Sequence, residues 1–362
     1  MKQTFYGYDV YRGRSRLQTA LTVVILVLLV VLILAVAAFF LLQPYVSYDD
    51  QGKAHVDLPF FSQAEPEPTP MPVVTPGITV TPTATPEPTP EPTPEPGPVV
   101  AVLPLGSLTD GTAQDLAAQA GATALLFDMK AQSGELSYVS GLEKARHAKV
   151  SASDPALNEA ILAFNRGEVY TVARISCFKD DTFPYYYGPA AGFRVNGGNW
   201  RDASGSRWLS PATQDARDYV AGVCAELAEL GFDELVLDYA AFPTQGRVES
   251  IVKGDAYRED PDFKHQALDA FYAQVRDALA GYPGVKLSLV VESGFLTGDP
   301  EDLSGLTPQL VADYFDLLYL PLPQEGEDFS TVLEAIGFPE NRLVYPGGGG
   351  PQGTGSLLEQ DE

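Results

Sequence analysis

From residue 99 onward the sequence predicts an α/β fold, a parallel barrel of the (β/α)8 TIM type. Three observations carry the prediction. Strand-like apolar runs alternate with amphipathic helical stretches, as βαβ units require. The runs are apolar almost throughout, as in parallel strands covered on both faces. Carboxylates and other polar residues stand at the ends of the runs, where barrel enzymes keep their chemistry.

The strand-like runs are Val99–Leu105, Thr123–Phe127, Val169–Ile175, Glu234–Leu237, Lys286–Val291, Asp316–Leu320 and Arg342–Tyr345. Helical spacing appears over 213–230, with Ala216, Val220, Val223, Leu227 and Leu230 on one face. It recurs over 262–280, with Phe263, Ala267, Phe271, Val275 and Ala278. Seven strands are legible. An eighth has to come from the tail after Pro346, which opens with Gly347–Gly350, reads as a flexible turn and ends acidic. The barrel is therefore expected to be truncated, open, or closed by a degenerate last strand.

The first 98 residues have a different character. Residues 1–16 are basic and expected in the cytoplasm. Residues 17–43 hold Leu21–Leu42, an apolar run of about 22 residues without a charge. At about 1.5 Å per residue it reaches roughly 33 Å, the thickness of a bilayer core. Ala35-Val36-Ala37 resembles a signal-peptidase site, but signal h-regions run about 7–15 residues and this one is longer. An uncleaved anchor is the reading adopted. Basic residues before it place the N-terminus inside and residues 44–362 outside. Within the spacer 44–98, residues 62–98 repeat Thr-Pro-Glu-Pro, which holds the chain near polyproline II. Those residues reach on the order of 100 Å, a stalk between anchor and barrel.

Charge and composition limit the partners. Net charge is −25. Lys2, Arg12, Arg14 and Arg16 against Asp9 leave +3 on the first 20 residues, so the rest carries −28. Such a surface repels nucleic acid and anionic membranes, and nucleic acid is excluded as a partner. Cys177 and Cys224 are too few for a disulfide framework and are expected as buried thiols. His55, His147 and His265 are scattered and offer no zinc constellation. Neither a phosphate-cradling loop after a strand nor a Gly-x-Ser-x-Gly elbow is present, so neither a metal nor a cofactor is expected.

The candidate site comes from the strand ends. The second run ends Asp128-Met129-Lys130, the third carries Arg174, the fourth ends Asp238-Tyr239 and the fifth ends Glu292-Ser293. A strand-end acid can also simply cap the next helix. Asp238 and Glu292 on adjacent strands nevertheless suit a two-carboxyl mechanism. In such a mechanism one acid protonates a leaving group while the other serves as base or nucleophile. Arg174 beside Asp238 would keep it ionised as nucleophile or charge stabiliser. Val290 and Val291 beside Glu292 would raise its pKa for the acid role. Asp128, Lys130, Arg174, Trp200, Trp208, Tyr239 and Tyr319 are the expected substrate contacts, the aromatics because their faces suit sugar rings.

Those residues also carry a resemblance. Gly231-Phe232-Asp233-Glu234-Leu235-Val236-Leu237-Asp238-Tyr239-Ala240-Ala241-Phe242-Pro243 is similar to the Gly-Phe-Asp-Glu-Ile-x-x-Asp-Tyr-x-Arg-Phe-Pro signature of bacterial glycoside hydrolase-like barrels. Asp128-Met129-Lys130 with Gly134 and Tyr138, and Arg174-Ile175 before Phe178-Lys179-Asp180, also fit. So does Trp200-x-Asp202-x-x-Gly205-x-x-Trp208-Leu209-x-Pro211, and the resemblance spans about 122–322. It implies a polysaccharide-cleaving enzyme. There are three departures: Ala241 replaces the signature arginine, Glu292 replaces an aspartate, and Leu318-Tyr319-Leu320-Pro321 has drifted from a Pro-Met-x-Tyr-Pro pattern. With Ala241, an enzyme needs its positive charge from Arg174 or Lys130, whereas a module that only binds glycan or scaffolds the envelope does not.

Protease added to intact cells is expected to cut the stalk and release a folded fragment of barrel size. Protection of the stalk, or a mature N-terminus near Ala38, would contradict this topology.

Overall fold

The computed structural model of the protein describes residues 46–48, 54–56, 96–299 and 302–359. The expected N-terminal segment 1–16 and membrane span 17–43 lie outside the described residues, as does the stalk up to residue 95. Among the described residues no helix is long and apolar enough to cross a membrane. The chain divides between Glu87 and Pro88 into two units. In the first, Val46–Tyr48 and Ala54–Val56 pair as antiparallel strands.

The second unit is a closed barrel of eight parallel strands: β1 Val99–Val102, β2 Ala124–Lys130, β3 Tyr170–Ser176, β4 Glu234–Asp238, β5 Lys286–Val290, β6 Leu317–Tyr319, β7 Leu343–Pro346 and β8 Gly355–Leu358. Helices lie around it. The two longest are Gln214–Glu229 and Pro261–Ala278, the segments whose apolar spacing predicts them. The second opens with Asp260, whose carboxylate accepts from the Asp262 amide at 3.1 Å, and with Pro261 in the first turn. Cys177 and Cys224 lie buried as free thiols in the layer between strands and helices. Burial pushes both thiols up, Cys224 to about 12.

The eighth strand exists, and it closes the barrel. Ser356 and Leu357 pair with Tyr345 and Pro346 of β7 on one side and with Val99 and Val100 of β1 on the other. What is degenerate is the crossover that leads to it. A parallel connection usually takes a dozen residues or more and a helix. Here residues 347–354 return along the barrel without one. Gly347 (φ 58°) and Gly348 (φ 70°) take the left-handed conformation that turns the chain back. At Gly350 a Cβ would collide with the Tyr345 ring and the Thr354 hydroxyl. The glycine run is thus an exposed turn at Gly347–Gly349, as expected, and becomes a packed strap where Gly350 meets Tyr345 and Thr354.

Alternation along the strands divides residues between the barrel axis and the helix layer. Val100, Ala124, Leu126, Val172, Val236, Leu317, Tyr319 and Val344 form one buried cluster inside the barrel. Leu125, Phe127, Ala173, Leu235, Leu237 and Leu289 belong to the cluster under the helices. Inward parity then continues to the C-terminal mouth: 124 and 126 lead to Asp128, 170 and 172 to Arg174, 234 and 236 to Asp238, and 288 and 290 to Glu292.

Gly350→Ala should destabilise the protein by about 1–3 kcal/mol, the usual cost of overpacking a filled site. In urea the midpoint should fall with the slope retained. An unchanged midpoint would show that the strap has room to spare.

Candidate active site

At the mouth, Arg174 and Asp128 form a two-pronged ion pair: Nε to Oδ1 at 2.6 Å and Nη2 to Oδ2 at 2.9 Å. The Asp128 hydrogen bonds raise the Arg174 pKa further. Asp238 lies beside this pair. Its Oδ1 accepts from the Tyr239 amide at 2.8 Å. Its carbonyl accepts from the Cys177 amide, also at 2.8 Å, so the continuation of β3 fixes its backbone.

Two opposing effects act on the Asp238 carboxyl. Burial disfavours its charged form and is the larger. Arg174 and the Tyr239 amide favour the charged form, while Asp128 and Glu292 oppose it. The result is a pKa raised to about 6. Arg174 thus favours the ionised form, but its guanidinium fork is committed to Asp128 and burial outweighs its remaining pull.

Glu292 follows β5 and lines the same cleft as Asp238, together with Trp208, Tyr239, Thr244, Val290, Phe295 and Asp302. The cleft is narrow, with a cavity volume of about 40 Å³. Glu292 Oε2 accepts from the Thr244 hydroxyl at 2.7 Å. Asp302, which accepts from the Ser304 hydroxyl, adds a third carboxyl to the wall. A wider hollow of about 500 Å³ opens over Asp128, Gln132 and Arg174, and Asp238 and Tyr239 border both spaces.

Tyr239 has φ 47°, a left-handed backbone that costs a non-glycine residue of order 1 kcal/mol or more. Its neighbours hold it there. Trp208 meets its ring edge-on at 5.6 Å, the Lys179 ammonium lies 4.8 Å from its centroid, and Gln132 donates to its hydroxyl at 3.2 Å. The Trp208 indole N–H in turn donates to Asp202 at 2.9 Å. An observed outlier of this kind beside a half-buried acid is where functional strain is found.

Three expected substrate contacts point elsewhere. Lys130 borders the hollow, but its ammonium turns away from it. A bulge between Asp128 and Lys130 breaks the alternation, so Lys130 turns outward into a fully buried pair with Asp180 at 2.8 Å. Gly134 permits this, because a Cβ there would collide with the Asp180 carboxylate. Trp200 is buried in a loop core, its N–H donating to the Arg247 carbonyl at 3.0 Å. Tyr319 points down the barrel axis, where its hydroxyl bonds Glu234 at 3.1 Å alongside Tyr170 and Ser288. The sequence reading missed Thr244 and Asp302, which sit in loops where no periodicity marks them.

A closed β/α barrel whose mouth gathers several carboxyls around an aromatic-lined cleft belongs to the architecture used by glycoside hydrolases. The family described as "Putative glycosyl hydrolase domain" matches residues 110–302, more than half of the chain, and the protein belongs to that family. No curated protein matches the sequence. Among solved structures, a hypothetical protein from Ruminiclostridium thermocellum is 28% identical over 52% of this chain and 96% of its own, with a TM-score of 0.44. The glycoside hydrolase domain of PgaB (BpsB) from Bordetella bronchiseptica is 15% identical over 69% and 84%, at 0.45. The glycoside hydrolase domain of PelA from Pseudomonas aeruginosa is 16% identical over 69% and 84%, at 0.38.

The Asp238 shift has a consequence for stability. Its folded pKa lies above the unfolded value of about 3.9, so the folded state holds the proton more tightly. Stability is then lost as pH rises from about 4 to 6 and stays lower above that window. Asp238→Asn should match the wild type near pH 4 and exceed it by up to roughly 3 kcal/mol above pH 7. Denaturant melts at both pH values check this. A variant less stable at pH 7 would mean that the carboxylate stabilises the fold.

Proposed function

We propose that this protein is a membrane-anchored, cell-surface glycoside hydrolase that cleaves a cell-wall or other extracellular polysaccharide with Asp238 and Glu292. The supporting observation is the pairing of these two carboxyls, from the ends of adjacent strands, in one aromatic-lined cleft. Asp238, half-buried and with its pKa raised to about 6, has the character of the acid that protonates the glycosidic oxygen. Glu292 then takes the part of base or nucleophile, with Thr244 orienting its carboxylate. These roles reverse those expected from the sequence, since burial favours the protonated form of Asp238. Trp208 and Tyr239 supply the apolar wall for a sugar ring, and Asp128 with Arg174 offers hydrogen bonds across the adjoining hollow. The N-terminal apolar run and the proline-rich stalk are what support the anchored, outward-facing topology. No cofactor enters this chemistry. A separation of about 5–5.5 Å between the carboxyls corresponds to retention at the anomeric carbon and about 6.5–9.5 Å to inversion.

One observation favours a second reading, a barrel that binds glycan without cutting it. Ala241 leaves the signature arginine unreplaced, and both candidate substitutes are engaged, Lys130 with Asp180 and Arg174 with Asp128. Reducing-end release across a panel of wall and capsular polysaccharides separates the two readings. Wild-type protein is expected to release reducing ends from at least one, with Asp238→Asn and Glu292→Gln each lowering the rate by about 10²–10⁴-fold. Wild-type rates in either variant would mean that its carboxyl is structural.

A further inference from the structure

We propose that Tyr185 and Tyr186 form a sugar-stacking shelf on the rim of the barrel mouth, a distal subsite that holds the same polysaccharide chain away from the Asp238–Glu292 cleft. The proposal rests on the glycan reading of that cleft and extends it from a single site to recognition of a polymer.

The shelf is built from neighbours in sequence. The short helix Phe183–Tyr187 follows β3 at the mouth side of the barrel. Its inner residues are fixed. Phe183 is buried and stacks on Tyr219 at 4.0 Å and on Tyr187 at 4.3 Å, and its amide donates to Asp180 at 2.8 Å. With that face pinned and Pro184 also buried, Tyr185 and Tyr186 face water. Tyr185 is 66% exposed and Tyr186 37%, and they are the exposed aromatics among the large apolar side chains described. An exposed pair of adjacent rings costs solvation that packing does not recover, which is the usual mark of a contact surface.

The rings are also held in place. The Arg207 guanidinium lies 5.3 Å from the Tyr185 centroid over one face, and the side chain is otherwise largely exposed. Arg207 is fixed in turn by Asp181 at 3.0 Å. Tyr186 meets Tyr185 edge-on, with centroids 5.3 Å apart and planes at 88°, and leans on His147 at 6.1 Å. Two rings at right angles, with Arg201, Arg207 and Asp181 beside them, offer C–H-facing apolar area and hydrogen-bonding groups together. A sugar ring presents the same combination, an apolar C–H face and a rim of hydroxyls.

Hydrogen bonds link the shelf to the wider hollow beside the cleft. The Asp181 amide donates to the Gln132 carbonyl at 3.1 Å, and the Thr182 hydroxyl donates to the Ser133 carbonyl at 2.7 Å. Gln132 borders the hollow beside Arg174 and donates to the Tyr239 hydroxyl, one residue from Asp238. A chain lying in the cleft thus has a hydrogen-bonded rim leading outward to the two tyrosines. The acidic surface of the protein excludes the other polymer that stacks on exposed rings, single-stranded nucleic acid.

The test compares the full-length chain, purified in detergent, with Tyr185→Ala/Tyr186→Ala and with Tyr185→Trp by affinity electrophoresis. The gels contain glycol chitosan, hydroxyethyl cellulose, xylan or dextran, and the trisaccharide of each backbone serves as soluble competitor. Wild-type mobility is expected to fall in at least one polymer. The double variant should bind that polymer about tenfold more weakly, the loss expected for one or two stacking contacts. Its affinity for the trisaccharide should be unchanged, and Tyr185→Trp should bind like the wild type. Equal retardation of wild type and double variant would overturn the shelf while leaving the cleft reading intact. Equal weakening toward polymer and trisaccharide would also overturn it, since the tyrosines would then support the cleft itself. Retardation of the wild type by no polymer would overturn both, leaving the rings as a contact for another protein.

Discussion

A strand in a closed barrel has two sides, so placing Val236 toward the axis commits Glu234 and Asp238 to the axis as well. Most of what the mouth contains follows from that constraint. Packing the interior with Val172, Val236 and Leu126 obliges the inward residue at each next position to emerge at the C-terminal end, and those residues are Arg174, Asp238 and Asp128. At the other end of the axis the same parity brings Glu234 inward. There its charge is unwelcome, and three hydroxyls, from Tyr170, Ser288 and Tyr319, satisfy its oxygens while burial raises its pKa. One alternation thus supplies an inner polar knot that is fully bonded and an outer polar mouth that is not.

The mouth differs from the knot in how its charges are shared. Arg174 is the cation nearest Asp238, yet its fork is matched to Asp128 in a geometry that a single carboxylate fills. Asp238 is left with one backbone amide and a half-buried position. A fold selected for stability alone has no use for that arrangement, because above neutral pH it pays for a poorly solvated charge. The strain at Tyr239 points the same way, since the adjacent residue is held in a left-handed backbone by Trp208, Lys179 and Gln132. Unfavourable terms concentrated at two neighbouring residues, with well-packed surroundings, are characteristic of a working site.

Much of this was legible in the residues. The strand ends that carry Asp128, Arg174, Asp238 and Glu292 follow from apolar periodicity and from the barrel rule, and seven of the eight strands could be drawn from the same signal. The misreadings have specific causes. Lys130 shares inward parity with Asp128 until a bulge cancels it, and a bulge leaves no trace in periodicity. Tyr319 ends its strand at the mouth, but its long side chain finds a buried partner two strands away, a pairing set by barrel stagger. Strand β8 is short and follows glycines rather than a helix, so the usual alternation offers no warning of it. The signature around Asp238 also proves to be two things at once. Asp233 accepts from the Thr171 amide at 2.7 Å and Glu234 fills the barrel floor, while Asp238 and Tyr239 form the mouth. Half of the motif serves the fold.

Whether Asp238 carries a proton at the pH where the protein works is the point on which its assignment as the acid depends. Carbon-13 NMR of selectively labelled aspartate, with Asp238→Asn to identify the resonance, measures that titration directly. A midpoint near 6 is expected, falling in Glu292→Gln because a neighbouring negative charge is removed. A midpoint below 4 in the wild type, unmoved by Glu292→Gln, would mean that Asp238 is an ordinary solvated carboxylate and that the two groups do not share a site.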